Sequence, residues 1–415
     1  MSSILYFKIT NESEYYNSLQ YVDGLNTIEC EFNENFEEYL TPGRINFSDQ
    51  KYICNFLHDG IYLREIYLPT DNSDFQMIKD PKGNEYGANM VILGNRHKLD
   101  QVSTWEYMIS KGVDIHVNND CALGWASYCG YLEIMKYLVQ CGADIHANNN
   151  YALRWSSYGG HLDAVKFLID YGADTHVFKD LPLRSASENG HLEVVKYLVE
   201  SGADIHANDD YALKCASENG YLQVVKYLVK CGADIHANEN HALRWASENG
   251  HLQVVKYLIE NGADIHANID YALRWASENG HLEIVKYLVE SGADINACND
   301  YALRWASRNG YLQVVKYLVE NGANIHAEND EALIFASKGG YLNIVKYLIE
   351  CGANIIAQNN LALSFALNKG YLDIIKYLAK CGADIHTKNN LALTMLLSAG
   401  HLHVVEYLKE CGVDI

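Results

Sequence analysis

The chain has 415 residues, of which 49% are hydrophobic, and a formal net charge of −21 at neutral pH. It has no apolar run close to the roughly 20 residues that a membrane helix needs, which excludes a helical membrane protein. The acidic balance would repel a phosphate backbone, so nucleic-acid binding would require a strong local basic stripe. We therefore expect a soluble monomer with neither a membrane nor a nucleic acid as its partner.

The N-terminus and the cysteines indicate the compartment. The first ten residues, MSSILYFKIT, lack the basic segment and the long apolar segment of a secretory signal. The chain has 11 cysteines but no Cys-x-x-Cys pair, which is typical of reduced thiols. Together these features predict a cytoplasmic protein.

Residues 1 to 98 do not repeat and contain four strand-like runs, ILYFKIT, YICNFL, IYLREIYL and NMVIL. The stretch NFLHDGIYLREIYL places Asp59-Gly60 between two apolar runs, which predicts a β-hairpin. We expect a small β-rich or mixed α/β domain that also covers the exposed face of the first repeat.

The remainder of the chain repeats itself every 30 residues. Nine copies occupy residues 121–390, a partial copy precedes them in 99–120, and a truncated copy follows in 391–415. Such a period is typical of a solenoid, in which each unit buries its apolar face against its neighbours. In the last copy Lys409 replaces an apolar residue, which suits a terminal repeat with no neighbour on that side.

One copy predicts two helices. Asp270 is a plausible N-cap for a first helix, Tyr271–Asn279, and the second helix spans about Leu282–Ser291 with a broad apolar stripe. Gly292 then ends the second helix in the left-handed conformation, before a turn-rich connector, Asn296–Asp300. Each unit is therefore expected to be helix, tight turn, helix and connector.

The run A-L-x-x-A-S-x-N-G-H-L-x-V-V-K-Y-L-V-x-x-G-A-D-I-x-A resembles the ankyrin repeat over roughly residues 101–415. The resemblance implies a mainly α-helical solenoid, preceded here by the N-terminal domain, that serves as a protein–protein interaction scaffold. The shortened repeat sequence further resembles the ankyrin-repeat families of giant DNA viruses of the mimivirus type, which infect amoebae. That implies a cytoplasmic viral protein that acts on host or viral proteins.

The repeats depart from the ankyrin pattern in two ways. The period is 30 rather than 33 residues, so the protruding hairpin should be a stub. The usual start, Thr-Pro-Leu-His, is replaced by Tyr-Ala-Leu-Arg, so another residue must brace the connector. We expect Arg274 to do so.

A basic row occupies one repeat position. Its members are Arg154, Arg184, Lys214, Arg244, Arg274 and Arg304. Four residues further on stand Glu188, Glu218, Glu248 and Glu278, at the spacing of ion pairs on one helix face. We interpret the row as braces that pair within the helix; phosphate binding is the alternative.

An aromatic row lies on the first helices, which line the concave surface in the ankyrin family. Its members are Trp125, Trp155, Trp245, Trp275, Trp305, Phe335 and Phe365. They either pack between repeats or anchor a partner, and both interpretations stay open. The candidate partner-binding residues are Trp245, Trp275, Trp305, Arg244, Arg274, Arg304, Glu248, Asn249, Glu278, Asn279, Tyr271 and Tyr301.

Histidines also recur at one repeat position, from His116 to His386. A row at repeat spacing cannot converge on one ion, so we predict no metal site. The motifs of dinucleotide, nucleotide and hydrolase sites, such as G-x-G-x-x-G, the P-loop, H-E-x-x-H and G-x-S-x-G, do not occur. The sequence therefore predicts a protein without a cofactor, a catalytic residue or enzymatic activity.

An alternative concerns residues 1 to 98, whose order of elements faintly resembles the ADP-ribosyltransferase core. The residues that carry this resemblance are Gly43, Phe47, Ser48, Tyr52 and the run Arg64-Glu65-Ile66. Phe7 and Lys8 stand where that family has an NAD-binding His, which implies a degenerate relative. In this alternative, or in one where the domain recruits a ubiquitin ligase, the repeats present the substrate.

Overall fold

The structure, a computed structural model, describes residues 5–16, 18–35, 43–81, 83–385 and 401–413. The chain divides into two compact units, Met1–Asp204 and Ile205–Ile415. The first unit holds a β-rich region and the first repeats, and the second unit holds repeats. The predicted boundary between the ninth and the truncated tenth copy, 390/391, lies outside the described residues, as does His386.

The β-rich region contains nine strands among the described residues. They are β1 (Tyr6–Thr10), β2 (Tyr15–Tyr16), β3 (Leu19–Gln20), β4 (Gly24–Thr27), β5 (Ile45–Asp49), β6 (Tyr62–Tyr67), β7 (Met77–Lys79), β8 (Tyr86–Ala88) and β9 (Met90–Lys98). Seven form an antiparallel sheet in the order β4-β9-β6-β1-β5-β8-β7, while β2 and β3 pair separately. The prediction of a β-rich N-terminal domain is thus confirmed.

The sheet is built around β1. Phe7 pairs with Glu65 of β6 on one side and with Ser48 of β5 on the other. Alternate side chains of the strands point to opposite faces, and one face buries an aromatic cluster. In that cluster the ring of Tyr6 stands edge-on to Phe47 and Tyr86, at centroid distances of 5.3 and 5.1 Å.

The predicted hairpin at Asp59-Gly60 is wrong. YICNFL is not a strand, because Ile53–Asp59 forms a 3₁₀ helix that buries Ile53, Cys54 and Leu57. The second run is β6, which pairs with β1 and β9 instead. Short apolar runs suit a helix or a strand equally, and here the helical spacing of the buried residues prevails.

The repeats are pairs of helices that follow α1 (Val102–Ser110). The first helices are α2 (Val117–Cys129), α4 (Ala147–Tyr158), α6 (Val177–Glu188), α8 (Ala207–Glu218), α10 (Ala237–Glu248), α12 (Ala267–Glu278), α14 (Ala297–Asn309), α16 (Ala327–Gly339) and α18 (Ala357–Lys369). The second helices are α3 (Leu132–Gln140), α5 (Leu162–Asp170), α7 (Leu192–Glu200), α9 (Leu222–Lys230), α11 (Leu252–Glu260), α13 (Leu282–Glu290), α15 (Leu312–Glu320), α17 (Leu342–Glu350), α19 (Leu372–Lys380) and α20 (Leu402–Glu410). The predicted solenoid of helix pairs is confirmed.

Each repeat buries small residues on its first helix and branched residues on its second. Ala276 of α12 is fully buried, which lets the paired helices approach closely, and Val285 and Leu288 of α13 are fully buried against it. Gly292 has a φ of 105°, in the region that favours glycine, and ends α13 as predicted. Within the second unit, neighbouring first helices pack more closely than neighbouring second helices.

Candidate functional site

The connectors hold the most unusual backbone in the repeats. Asn268, Ile269 and Asp270 are three consecutive residues with φ of 51°, 57° and 52°, and the same left-handed run recurs in each copy from 118–120 to 358–360. A left-handed residue with a Cβ costs about 1–2 kcal/mol, except that Asn and Asp tolerate it better. The run turns the chain within three residues, which explains why the connector is only a stub.

Asp270 does not cap its own helix, which corrects the sequence prediction. Its side chain is 5% exposed, and its Oδ1 accepts the backbone N–H of Asp294 in the following repeat at 2.9 Å. Nδ1 of His266 lies 3.0 Å from the same oxygen. The carboxylate therefore joins two repeats, because it is held in the left-handed run ahead of the regular helix.

The same contact recurs within both units. The N–H groups of Asp144, Asp174, Asp204, Asp234, Asp264, Asp294, Asn324 and Asn354 donate to the Asp or Asn side chain 24 residues earlier, at 2.7 to 3.3 Å. Sequence reasoning missed this link. Its signal was an Asp or Asn at every thirtieth residue from Asp120 to Asn360.

Arg274 braces the connector, as predicted. Its Nε donates to the carbonyl oxygen of Ile269 at 2.9 Å, and its Nη2 donates to that of Asn268 at 2.8 Å. Arg304 makes the equivalent bond to Cys298 at 3.1 Å. The guanidinium groups thus satisfy carbonyls that the left-handed turn takes out of the helical hydrogen-bond pattern.

The predicted ion pairs within the helix form in only part of the row. Lys214 pairs with Glu218, but Arg304 pairs with Glu331 of the following repeat. Glu278 accepts the hydroxyl of Tyr301 at 2.7 Å, while Arg274 reaches back to the connector. The neutralisation expected for Arg274 by Glu278 is therefore wrong, because the connector carbonyls hold the guanidinium.

The glutamates form an acidic row instead. Burial raises the pKa of Glu248, and the neighbouring carboxylates Glu218 and Glu278 raise it further. Like charges at this range disfavour ionisation of the middle group. Three carboxyl groups thus lie near one another along the first helices of the second unit.

Arginine and tyrosine side chains alternate along the surface of the second unit. The guanidinium of Arg244 lies 4.0 Å from the ring centroid of Tyr271, and that of Arg274 lies 5.3 Å from the centroid of Tyr301. The tyrosine rings stack on Trp275 and on the tryptophan of the next copy at 5.3 and 5.2 Å. The structure thus brings the predicted Arg, Tyr and Trp residues into one continuous layer.

The tryptophans of that layer are neither fully buried nor free. Trp245, Trp275 and Trp305 are half-buried, and Lys214 and Arg308 cover the first and the last of them at 4.6 and 4.1 Å from the ring centroid. The amides of Asn249 and Asn279 are exposed and donate to the carbonyl oxygens of Trp245 and Trp275 at 2.9 and 3.0 Å. Contacts with neighbouring side chains and carbonyl groups therefore hold these residues in place, while part of the layer faces solvent.

Histidines join neighbouring repeats at the Gly-His turn. Nε2 of His281 donates to the carbonyl oxygen of Glu248 at 2.9 Å, and its ring packs on Gly250, where a Cβ would lie 2.7 Å from the imidazole. His251 makes the same bond to Glu218 at 2.8 Å. Across the described residues, no three His, Cys, Asp or Glu side chains come together to hold a metal ion.

The strand residues behind the ADP-ribosyltransferase resemblance lie on β5 and β6, which are separated by β1. Ser48 lies on β5, and its hydroxyl donates to the carbonyl oxygen of Asn84 at 2.7 Å. Glu65 lies on β6, where burial opposes its ionisation, but hydrogen bonds from Tyr107, Tyr67 and His97 outweigh burial and lower its pKa to about 2. Glu65 thereby ties helix α1 to the sheet.

Comparisons with known proteins identify the repeats. The family model for ankyrin repeats in three copies matches residues 146–209, 183–269, 266–329, 303–389 and 333–415, and the single ankyrin repeat matches 118–150. The chain belongs to the ankyrin-repeat family. In the part of this ankyrin-repeat protein that the structure describes, no helix is long and apolar enough to cross a bilayer.

Viral relatives are close in sequence. A mimivirus protein named as an ankyrin repeat protein, R868 of Acanthamoeba polyphaga mimivirus, is 50% identical over 136 residues, which are 33% of this chain and 67% of R868. Protein R869 of the same virus is 50% identical over 135 residues, 32% of this chain and 97% of R869. The crystal structure of the human ASB11 ankyrin repeat domain aligns with a TM-score of 0.44 at 23% identity, over 49% of this chain and 98% of that domain.

The family sets the general role. Ankyrin repeats are protein–protein interaction scaffolds, and the described helix pairs supply the extended surface for that role. The expectation of ankyrin repeats related to those of a giant amoebal virus is confirmed.

Proposed function

We propose that the chain binds a protein partner through the first-helix surface of its second unit. The observation that carries this proposal is the layer of half-buried Trp245, Trp275 and Trp305, held in place by stacked tyrosines and arginines. Rigid aromatic side chains that are only partly covered are typical anchors of interfaces, because little side-chain entropy is lost when a partner covers the remainder. Asn249, Glu248 and their counterparts Asn279 and Glu278 would supply the polar contacts.

Affinity capture from amoebal lysate with the full chain tests this proposal. Asn249→Arg and Asn279→Arg introduce bulk beside the tryptophans at exposed positions, so the fold should survive and the captured partner should be lost. The matched control is Gln253→Arg with Glu283→Arg, on exposed positions of the second helices in the same repeats. A partner that is retained by the first pair of variants and lost with the second would place the binding surface on the second helices.

We further infer that the chain acts without catalysis and binds no nucleic acid. The arginines that would meet phosphate are bound to connector carbonyls, stacked on tyrosines and flanked by the acidic row. Monomeric state and cytoplasmic location belong to the same proposal, which rests on the acidic charge and on the many cysteines without a Cys-x-x-Cys pair.

The alternative, an ADP-ribosyltransferase-like or ligase-recruiting N-terminal domain, has weaker support. The carboxylate of Glu65 accepts hydrogen bonds from Tyr67, His97 and Tyr107, the last of which ties α1 to the sheet. Phe7 and Lys8 replace the NAD-binding His of that family. Incubation of the full chain with labelled NAD and lysate distinguishes the two proposals. A labelled product that disappears in Glu65→Gln would favour the enzyme.

A further inference from the structure

The first unit exposes an aromatic cluster that has no equivalent in the described repeats of the second unit. Tyr128 and Tyr158, near the C-terminal ends of α2 and α4, are 43% and 42% exposed, and the half-buried Trp155 contacts both. Isolated exposed aromatics are ordinary, whereas contiguous exposed apolar groups are typical of binding surfaces. We call these three residues the aromatic corner.

The rings of the aromatic corner have a defined geometry. The two tyrosine rings lie 6.4 Å apart at an interplanar angle of 26°. Trp155 stands nearly perpendicular to both, at 5.1 Å and 89° from Tyr128 and at 5.3 Å and 75° from Tyr158. The three rings thus lie on two approximately perpendicular planes, and the two tyrosines are the part of the cluster that faces solvent.

Cations of the protein itself cover some of the tryptophan rings in the repeats. In the second unit Lys214 lies over Trp245 and Arg308 over Trp305. In the first unit Arg154, next to Trp155 in sequence, lies instead over Tyr151 and over Phe178 at 5.8 and 5.2 Å. Throughout the described ranges, no lysine or arginine cation lies over a ring of the aromatic corner.

Two residues at the corner differ from the next copy of the same unit. Tyr158 stands where the next copy of the same unit has Glu188. Gly159 stands where Asn189 follows, and the amide of Asn189 donates to the carbonyl of Ser185 across the helix end. The imidazole of His161 fills the space at Gly159, where a Cβ would lie 2.5 Å from its Nε2, and this nitrogen donates to the carbonyl oxygen of Tyr128 at 2.9 Å. The exposed carboxylate of Glu188 lies one repeat further along.

We propose that the aromatic corner binds a basic side chain, arginine or lysine, of a protein partner. A cation over the face of Trp or Tyr is attracted by the ring quadrupole, and this attraction is the ring chemistry left unused here. Glu188 and the net charge of −21 favour the same sign of ligand. The inference rests on the proposed function and deepens it by naming the chemistry of the partner at a second surface.

The test uses NMR of the full chain with ¹⁵N-labelled tryptophan, which carries six indole N–H groups. The probes are N-acetyl-arginine amide and N-acetyl-lysine amide, with N-acetyl-norleucine amide as the neutral match. We expect both cations to shift the Trp155 signal, assigned with Trp155→Phe, in a saturable manner. The Trp305 signal, already covered by Arg308, should not move.

Matched variants separate ring chemistry from simple apolar contact. Tyr158→Phe keeps the ring and should bind the arginine probe as the wild type does. Tyr158→Leu keeps an apolar side chain without a ring and should weaken binding about threefold, which corresponds to one exposed cation–π contact. Tyr128→Leu is the second variant with the same expectation, and melting temperatures by circular dichroism confirm that each variant is folded.

Three results would overturn the inference. They are an equal shift with the norleucine probe, equal binding by the Phe and Leu variants, and no shift of the Trp155 signal. The outcome is independent of the capture experiment on the second unit. If a partner is captured but the Trp155 signal does not respond to the cationic probes, only this inference is refuted. If the aromatic corner binds the probes but the chain captures no partner, only the proposed function is refuted.

Discussion

Asp270 provides the sharpest test of how neighbouring repeats are joined. Its backbone is left-handed, its side chain is almost fully buried, and its Oδ1 accepts the N–H of Asp294 at 2.9 Å. Asn240 makes the equivalent bond to Asp264, also at 2.9 Å, and has a φ of 59°. Asp270→Asn retains both the acceptor and the tolerance for this backbone, so we expect its stability to be close to that of the wild type.

Two further substitutions at Asp270 separate the bond from the backbone conformation. Asp270→Gly removes the acceptor but accepts a positive φ, so it should lose about 2 kcal/mol, the contribution of a hydrogen bond to a charged group. Asp270→Ala also forces a Cβ into the left-handed region, which adds roughly 1 kcal/mol. The expected order of stability is Asn, then Gly, then Ala, with losses of about 0, 2 and 3 kcal/mol.

Urea unfolding followed by circular dichroism gives the order, and hydrogen exchange locates the effect. The segment SGADINACND, residues 291–300, is recognised by mass spectrometry because Cys298 makes it distinctive. Its amides should exchange faster in the Gly and Ala variants than in Asp270→Asn. If the Gly variant matches the Asn variant in both measurements, the carboxylate bond does not join the repeats; if Ala matches Gly, the left-handed run carries no strain.

Three other substitutions test the remaining contacts. Arg274→Lys should lose about 1 kcal/mol in urea unfolding, because an ammonium cannot reproduce both connector bonds; an unchanged midpoint contradicts the brace. Burial raises the pKa of Asp300, so the ionised carboxylate destabilises the folded state at neutral pH. Asp300→Asn should therefore stabilise the chain at pH 7. It should give no gain in stability at roughly pH 3, where the carboxyl is protonated in the folded and the unfolded chain. Folding lowers the pKa of Glu65 from 4.5 to about 2, so the ionised carboxylate stabilises the folded state above pH 4.5, and this stabilisation is lost towards pH 2. Glu65→Gln should therefore lower the melting temperature at neutral pH and match the wild type at the acid limit. An equal loss of melting temperature at both pH values would refute this reasoning.

The repeat fold was predictable because its information is local and recurs in every copy. Apolar residues at helical spacing predicted both helices of the repeat, and Gly292 predicted the end of the second helix. The N-terminal region offers no such redundancy. Its strand-like runs of five to eight residues suit a helix or a strand equally. YICNFL is therefore interpreted as a strand, although Ile53–Asp59 forms a 3₁₀ helix.

The contacts between repeats were harder to predict than the helices. Asp270 has the residue type of an N-cap, and only the left-handed connector redirects its carboxylate to the next repeat. Arg274 was assigned correctly to the connector, since the missing Thr and His of the ankyrin pattern required a substitute. That Arg274 would bond to the connector rather than pair with Glu278 was not predictable, because the helix spacing alone favours the ion pair.

Repetition itself indicates where specificity can lie. A residue type that returns at the same position in most copies, such as the connector Asp or the Gly-His imidazole, makes the same contact between repeats each time, which is a structural reason for it to recur. The position held by Tyr158, Glu188 and Arg308 makes no such common contact, and its side chain is exposed in these copies. Aromatic, acidic and basic residues occupy this position with different local contacts, Tyr158 against Trp155 and Arg308 over Trp305, while the contacts that join the repeats stay the same. A partner can therefore be selected at this position while the scaffold stays unchanged.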